Sequence, residues 1–140
     1  MKNVFDFDLN YDFREVRELM IKEKLSEEEL MEGLEAEEVF VKVCITDHVY
    51  NRMNNSFGRQ CNWEMIEDLI LEKGHLLFEL KFDEEFAMKN SDGTLALICK
   101  LYPHNGELVL ILETVIRTVI IINGKEVDKQ VKVYRSTKTI

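Results

Sequence analysis

Hydrophobic positions in the first quarter of the chain recur at the three- and four-residue spacing of an amphipathic helix. Val16 and Leu19 carry this spacing, which predicts helical structure over residues 12–36. Ser26 is a good N-cap in front of three glutamates, because acidic side chains in a first turn suit the helix dipole. The pattern therefore favours two helices, separated near Leu25.

The pattern then changes to the two-residue period of a strand. Residues 39–45 alternate and are rich in valine, which predicts a β-strand. Thr46 and Asp47 are N-cap residues for a short helix that runs to about Asn54, before a loop over 54–58. A second helix follows, with Asn62 as its cap, a buried stripe of Trp63, Ile66, Leu69 and Ile70, and Gly74 as its stop.

The remainder of the chain has the pattern of strands joined by turns. The strands are predicted near 75–82, 85–90, 94–101, 107–114, 115–122 and 126–134. Alternatively, residues 107–122 form one long bent strand instead of two. Turn signals stand at 91–93, 103–106 and 123–124. The expected fold is α+β, with N-terminal helices packed on a mostly antiparallel sheet. A single domain, 1–140, would comprise a helical N-terminal part (1–37) and a strand-helix-helix-sheet catalytic part (38–140).

Composition places the chain among ordinary globular proteins, with 140 residues and a hydrophobic fraction of 46%. Its three cysteines, Cys44, Cys61 and Cys99, lie far apart without a CxxC spacing, which favours reduced thiols in a cytoplasmic protein. The opening residues carry acids where a secretory signal needs bases. The longest apolar run, 115–122, is too short to span a bilayer. No membrane association is expected.

The net charge of −9 is distributed unevenly along the chain. Residues 1–40 hold 13 acids and 5 bases, a balance of −8, whereas residues 41–140 hold 14 acids and 13 bases, a balance of −1. The acidity therefore belongs to the N-terminal segment, where a solvated helix face is its simplest explanation. The remainder is free to present a local basic face to a phosphate.

His48 and Arg52 lie four residues apart on a predicted helix and so share one of its faces. Histidine titrates near neutrality and serves as base or acid, while arginine places a charged fork on a phosphate oxygen. His75 follows the Gly74 helix stop, at the expected beginning of a strand. Each of these residues also has a structural explanation, such as a surface pair on a helix or a histidine that satisfies free carbonyls at a helix end.

Two histidines and an arginine suffice to cleave RNA without a metal or any other cofactor. One histidine removes the proton of the ribose 2′-hydroxyl, the other protonates the leaving 5′-oxygen, and the arginine stabilises the charged transition state. DNA would not react, because it lacks the nucleophile. Arg117, a charge inside an apolar stretch, and Tyr102, an aromatic face for stacking, are candidate RNA-binding residues. The structural alternative for Arg117 is that it points to solvent. For an RNA-contacting edge of Tyr102 with Tyr134, Lys132 and Arg135, the alternative is an ordinary half-buried strand over residues 131–135.

The strand at 39–45 followed by Thr46-Asp47-His48-Val49-Tyr50-Asn51-Arg52 resembles the strand-then-helix His-x-x-x-Arg element of the bacteriophage RegB endoribonuclease family. Lys73-Gly74-His75-Leu76-Leu77 occupies the place of that family's second histidine, and Ser91-Asp92-Gly93-Thr94-Leu95 is similar to its Asp-Gly turn. The likeness covers residues 38–122.

This resemblance implies a fold related to the RelE and YoeB messenger-RNA toxins, with two N-terminal helices beside an antiparallel sheet. It also implies a phage-encoded, sequence-selective and metal-independent endoribonuclease, with His48, His75 and Arg52 as catalytic residues. Single-stranded mRNA would be the substrate, and a ribosomal or other mRNA-binding helper protein is a candidate partner.

Two other functions remain open at this point. An acidic protein of this size could also be an inhibitor that binds a basic host partner by mimicking nucleic acid. The third function is a binding module that keeps the nuclease fold without its catalytic power. The positions of His48 and His75 discriminate these hypotheses, because a catalytic pair must face one pocket.

Overall fold

The computed structural model describes residues 13–55, 60–104, 107–134 and 137–140. Its strands are β1 (Phe13–Lys22), β2 (Glu38–Thr46), β3 (Phe86–Lys89), β4 (Leu95–His104), β5 (Glu107–Ile122), β6 (Lys125–Lys129) and β7 (Lys138–Thr139). Its helices are α1 (Glu27–Met31), α2 (Asp47–Asn55) and α3 (Trp63–Lys73), and α3 continues into a 3₁₀ helix (Gly74–Glu79). The predicted α+β class is confirmed.

One mixed sheet contains all seven strands. Six of them follow the order β1-β2-β5-β4-β3-β7, and β6 pairs with the far end of β5. The pairs β2–β5 and β3–β7 are parallel, and the other four pairs are antiparallel. The long strand β5 is central to this arrangement, because it touches β2, β4 and β6.

The helix predicted for the first part of 12–36 is wrong, because residues Phe13–Lys22 form the edge strand β1. Leu19 and Ile21 point to the main core, whereas Val16 and Met20 lie on the other face of the strand, 39% and 47% exposed. The apolar positions that suggested a helix are thus divided between two faces of a strand. Backbone pairing with β2 outweighs a helical preference, which is only a weak local tendency.

Only one short helix lies in the described portion of the predicted helical part, 1–37. It is α1, which begins after Ser26 as predicted and is five residues long. Residues 1–12 lie outside the described ranges. Residues 13–37 therefore contain one short helix and not the two N-terminal helices that the resemblance implied.

The two predicted central helices are confirmed. Thr46 begins α2, since its Oγ1 accepts a hydrogen bond from the Val49 amide at 3.3 Å. Asn62 begins α3 in the same way, through the Met65 amide at 2.9 Å. Residues 54 and 55 of the predicted loop at 54–58 are helical, because α2 extends to Asn55, and residues 56–59 lie outside the described ranges.

Beyond α3 the strand predictions are mixed. The strand predicted near 75–82 is wrong, since residues Gly74–Glu79 form the 3₁₀ helix. The alternative of one long strand for 107–122 is confirmed as β5, while β6 ends at Lys129, earlier than predicted. Turns stand at 91–93 and 123–124 as predicted. In the third predicted turn, 103 and 104 belong to β4, and 105 and 106 lie outside the described residues.

The sheet buries apolar side chains on both of its faces. On one, which we call the helix face, side chains of α2, α3 and the 3₁₀ helix share a core with alternate residues of the strands. On the other, the open face, a small group of Cys44, Val109 and Ile111 is covered in part by Phe13 and Tyr102. Of the helices in the described ranges, none is long and apolar enough to cross a membrane.

Candidate functional site

His48 and Thr114 meet where α2 packs against β5. Because Thr46 caps α2, His48 lies in its first turn, and its side chain is exposed to solvent. The His48 Nε2 atom lies 3.4 Å from the Thr114 Oγ1 atom. The contact joins an imidazole, a side chain that can act as base or acid, to a hydroxyl held by the central strand.

A register shift in the sheet positions Thr114. Leu112 pairs with Cys99 and Thr114 pairs with Ile98, so Glu113 is an extra residue on β5. Such bulges redirect side chains and are common beside functional sites. Here the bulge lies immediately before the hydroxyl that reaches His48.

Arg52 follows His48 by one helical turn on α2. The two side chains share a helix face, and Arg52 is half-buried. The His48–Arg52 pair identified in the sequence is therefore on one helix, as predicted.

Arg117 lies on β5, three residues beyond Thr114, or about 10 Å along the strand. Its Nε atom donates to Asp128 Oδ1 at 3.0 Å, and its Nη1 atom donates to the backbone carbonyl of Gln60. Its side chain is 19% exposed. The guanidinium therefore links β5 to β6 and to the segment before α3.

A third arginine comes from β1. The Arg14 guanidinium lies 4.6 Å from the centre of the Tyr50 ring and 3.8 Å from Asp47 Oδ1, and both partners belong to α2. Arg14 and Arg52 therefore both lie at α2, whereas Arg117 pairs with Leu95 on the helix face of β5, the opposite face of that strand from Thr114.

Cys61, near Arg117, is unsuited to act as a nucleophile. Burial raises the pKa of its thiol to about 11, although the positive charge of Arg117 opposes this shift. The thiolate is the reactive form, so Cys61 is almost wholly unreactive at neutral pH.

The structure does not bring His75 to His48. His75 is half-buried in the 3₁₀ helix beside Gly74, which packs against Ile21, and Ile21 pairs with Val39 at the beginning of β2. His48 instead follows Thr46, at the end of β2. Seven residues of extended strand separate Val39 from Thr46, or about 23 Å.

Tyr102 lies on the opposite side of the sheet from α2. It packs against the buried group of the open face, and its hydroxyl donates to Asp83 Oδ1 at 2.6 Å. Tyr102 therefore lies on the face of the sheet away from the α2 core side chains, and Arg117 lies on the same strand as Thr114 but on its other face.

A groove of about 270 Å³ lies elsewhere, between the end of the 3₁₀ helix, β3 and β7. Its charged lining includes Glu79, Lys81 and Lys138. None of the residues predicted to carry chemistry lines it.

Thr114 is a site residue that the sequence analysis missed. One signal pointed to it: Glu113 and Thr114 are two consecutive polar residues that interrupt the apolar sequence of the strand. Such an interruption is consistent with a bulge, but only the partner strand shows where the hydroxyl points.

Comparison with protein-family models, curated proteins and solved structures finds no match to this chain. Its function is therefore argued from the geometry around His48.

Proposed function

We propose that this protein is a metal-independent endoribonuclease that cleaves single-stranded RNA at a site formed by His48, Thr114 and Arg52. The observation that carries the proposal is the His48–Thr114 contact at the junction of α2 and β5, with Arg52 one helical turn from His48 on α2. The proposal retains one of the two predicted histidines. His75 has no part in it.

His48 acts as the general base. In the tautomer that this role requires, Nε2–H donates to Thr114 Oγ1, which lies 3.4 Å away, and Nδ1 is unprotonated. Nδ1 then accepts the proton of a ribose 2′-hydroxyl. At 3.4 Å the bond to Thr114 is long, as catalytic hydrogen bonds often are before the substrate binds.

The deprotonated 2′-oxygen attacks the adjacent phosphorus. A bond from the 2′-oxygen to phosphorus forms and the bond from phosphorus to the 5′-oxygen breaks, which yields a 2′,3′-cyclic phosphate and a 5′-hydroxyl. Water supplies the proton that the leaving 5′-oxygen takes up. Arg52 stabilises the negative charge that accumulates on the phosphoryl oxygens.

Specificity for RNA follows from this chemistry. The 2′-hydroxyl is the nucleophile, so DNA of the same sequence binds without being cut. Bases in single-stranded RNA can turn outward, which lets the backbone enter a shallow junction between a helix and a strand.

An RNA cleavage assay in excess EDTA tests the proposal. Wild-type protein is compared with His48→Ala and, as the matched control, His75→Ala, and product ends are mapped. We expect cyclic phosphate ends, a loss of about 10²–10⁴-fold in His48→Ala, and near-normal cleavage in His75→Ala.

Two outcomes would contradict the proposal. Intact RNA in every wild-type reaction, including those supplemented with cell extract, would remove the nuclease function. Equal losses in the two alanine variants would restore the two-histidine mechanism and remove the single-histidine site.

A further inference from the structure

The short helix α1 presents its apolar side chains to solvent. Leu30, Met31 and Leu34 are 58%, 89% and 50% exposed, and α1 has no buried residue. We call these three residues the α1 surface. A cluster of exposed apolar residues on one short segment is typical of a site that contacts another macromolecule.

Local hydrogen bonds, and not core packing, stabilise this helix. Ser26 and Glu29 form a reciprocal capping box, with the Glu29 amide donating to Ser26 Oγ at 3.2 Å. At the other end Gly33 has a φ of +81°, and the Leu34 amide donates to the Glu29 carbonyl at 3.1 Å. The α1 surface is thus ordered before any partner binds, which lowers the entropic cost of binding.

The charge around the α1 surface is strongly negative. Residues 23–38 contain eight glutamates and one lysine, a balance of −7. Nucleic acid and anionic membranes carry charge of the same sign and are repelled. A second copy of the chain, with its own net charge of −9, meets the same repulsion at long range.

We propose that the α1 surface docks a basic amphipathic helix of another protein. The apolar side of that helix would cover Leu30, Met31 and Leu34, while its lysines and arginines would face the surrounding glutamates. Apolar contacts at the centre with complementary charges at the rim give affinity and fast, salt-sensitive association. This inference does not depend on the nuclease proposal.

A synthetic 14-residue peptide of leucine and lysine, with leucine on one helical face, is the probe. Its binding to the full chain is measured by fluorescence anisotropy at 50 and 200 mM salt. We expect saturable binding that weakens several-fold at the higher salt. A peptide of the same composition in scrambled order, which has no apolar face, should bind at least tenfold more weakly.

Matched variants locate the binding surface. We expect Leu30→Ser combined with Met31→Ser to weaken binding at least tenfold, while Ile121→Ser combined with Ile122→Ser leaves it unchanged. Ile121 and Ile122 are also exposed, at 58% and 47%, but they lie on the far end of β5. Circular dichroism verifies that each variant folds.

Several results would overturn the inference. They are equal binding of the ordered and scrambled peptides, equal losses in the two double variants, or no binding at 50 mM salt. Sedimentation that shows a dimer disrupted by the α1 substitutions would instead assign the surface to self-association. RNA cleavage should be unaffected by the α1 substitutions, so this inference and the nuclease proposal can fail separately.

Discussion

The imidazole of His48 on α2 lies within 3.4 Å of the Thr114 hydroxyl on β5, although 66 residues separate the two in sequence. The contact depends on the cap that begins α2 and on the bulge that turns Thr114. It gives the predicted histidine a partner that can fix its ring.

Removal of the Thr114 hydroxyl should impair the proposed base. Thr114→Val keeps the β-branched shape but loses the acceptor for His48 Nε2, so we expect RNA cleavage to fall about tenfold or more, equivalent to about 1.4 kcal/mol of transition-state stabilisation. Thr114→Ser keeps the hydroxyl and should retain most activity. The pH dependence of kcat/KM separates the alternatives, because a purely structural role would lower the rate without moving the profile.

Under the proposed function Arg117 is a candidate RNA-binding residue, and Asp128 would compete with RNA phosphate for its guanidinium. Asp128→Asn weakens the ion pair to the Arg117 guanidinium, so we expect tighter RNA binding and a steeper dependence of affinity on salt. The control is Glu126→Gln, which removes the same charge from an exposed position on β6. Equal effects of the two substitutions on RNA affinity would show that net charge, and not release of Arg117, is responsible.

Glu15 fixes α3 to the edge strand β1. Its Oε2 atom accepts a hydrogen bond from Trp63 Nε1 at 2.6 Å, and the Arg17 guanidinium lies 4.6 Å from the centre of the Trp63 ring. Hydrogen bonds to a charged group are among the stronger ones, so Glu15→Ala should lower the free energy of unfolding by about 1–2 kcal/mol. Glu18→Ala, on the open face of the same strand, is the control. Urea denaturation of both variants measures the difference, and similar losses would argue against a role for the Trp63 bond.

Glu85 should make stability depend on pH. Burial raises the pKa of this carboxyl above 4.5, and so do a hydrogen bond to Glu113 and repulsion by its charge, while Lys100 and Thr137 act in the opposite direction. A carboxyl with a raised pKa binds its proton more tightly in the folded state. Its contribution to folding therefore falls as pH rises from 4.5 through the raised pKa.

Glu85→Gln removes this titration. We expect the free energy of unfolding of the variant, measured relative to wild type, to be higher at pH 7 than at pH 4. Urea denaturation of both proteins at the two pH values measures this. Glu84→Gln changes the charge of the neighbouring residue and is the control. A stability difference between Glu85→Gln and wild type that is the same at both pH values would show that Glu85 does not titrate as described.

Elements whose signals are local could be predicted from the sequence. Thr46 and Asn62 begin helices because a side-chain oxygen can accept from an amide two or three residues later, whatever surrounds it. The turn at 123–124 is equally local, since Asn123 and Gly124 both adopt positive φ between two apolar runs. The His48–Arg52 pair follows from helical spacing alone.

Features that depend on a distant partner could not be predicted from the sequence, because packing sets them. Residues 13–22 have helix-like spacing, yet they form β1 because β2 offers them a full row of backbone hydrogen bonds. The separation of His48 from His75 follows from where α3 ends against Ile21, and the approach of Thr114 to His48 follows from a bulge opposite β4. The spacing of apolar residues indicates which face of a helix or strand is buried. It does not indicate which helices and strands come together at a site, because packing sets their relative positions.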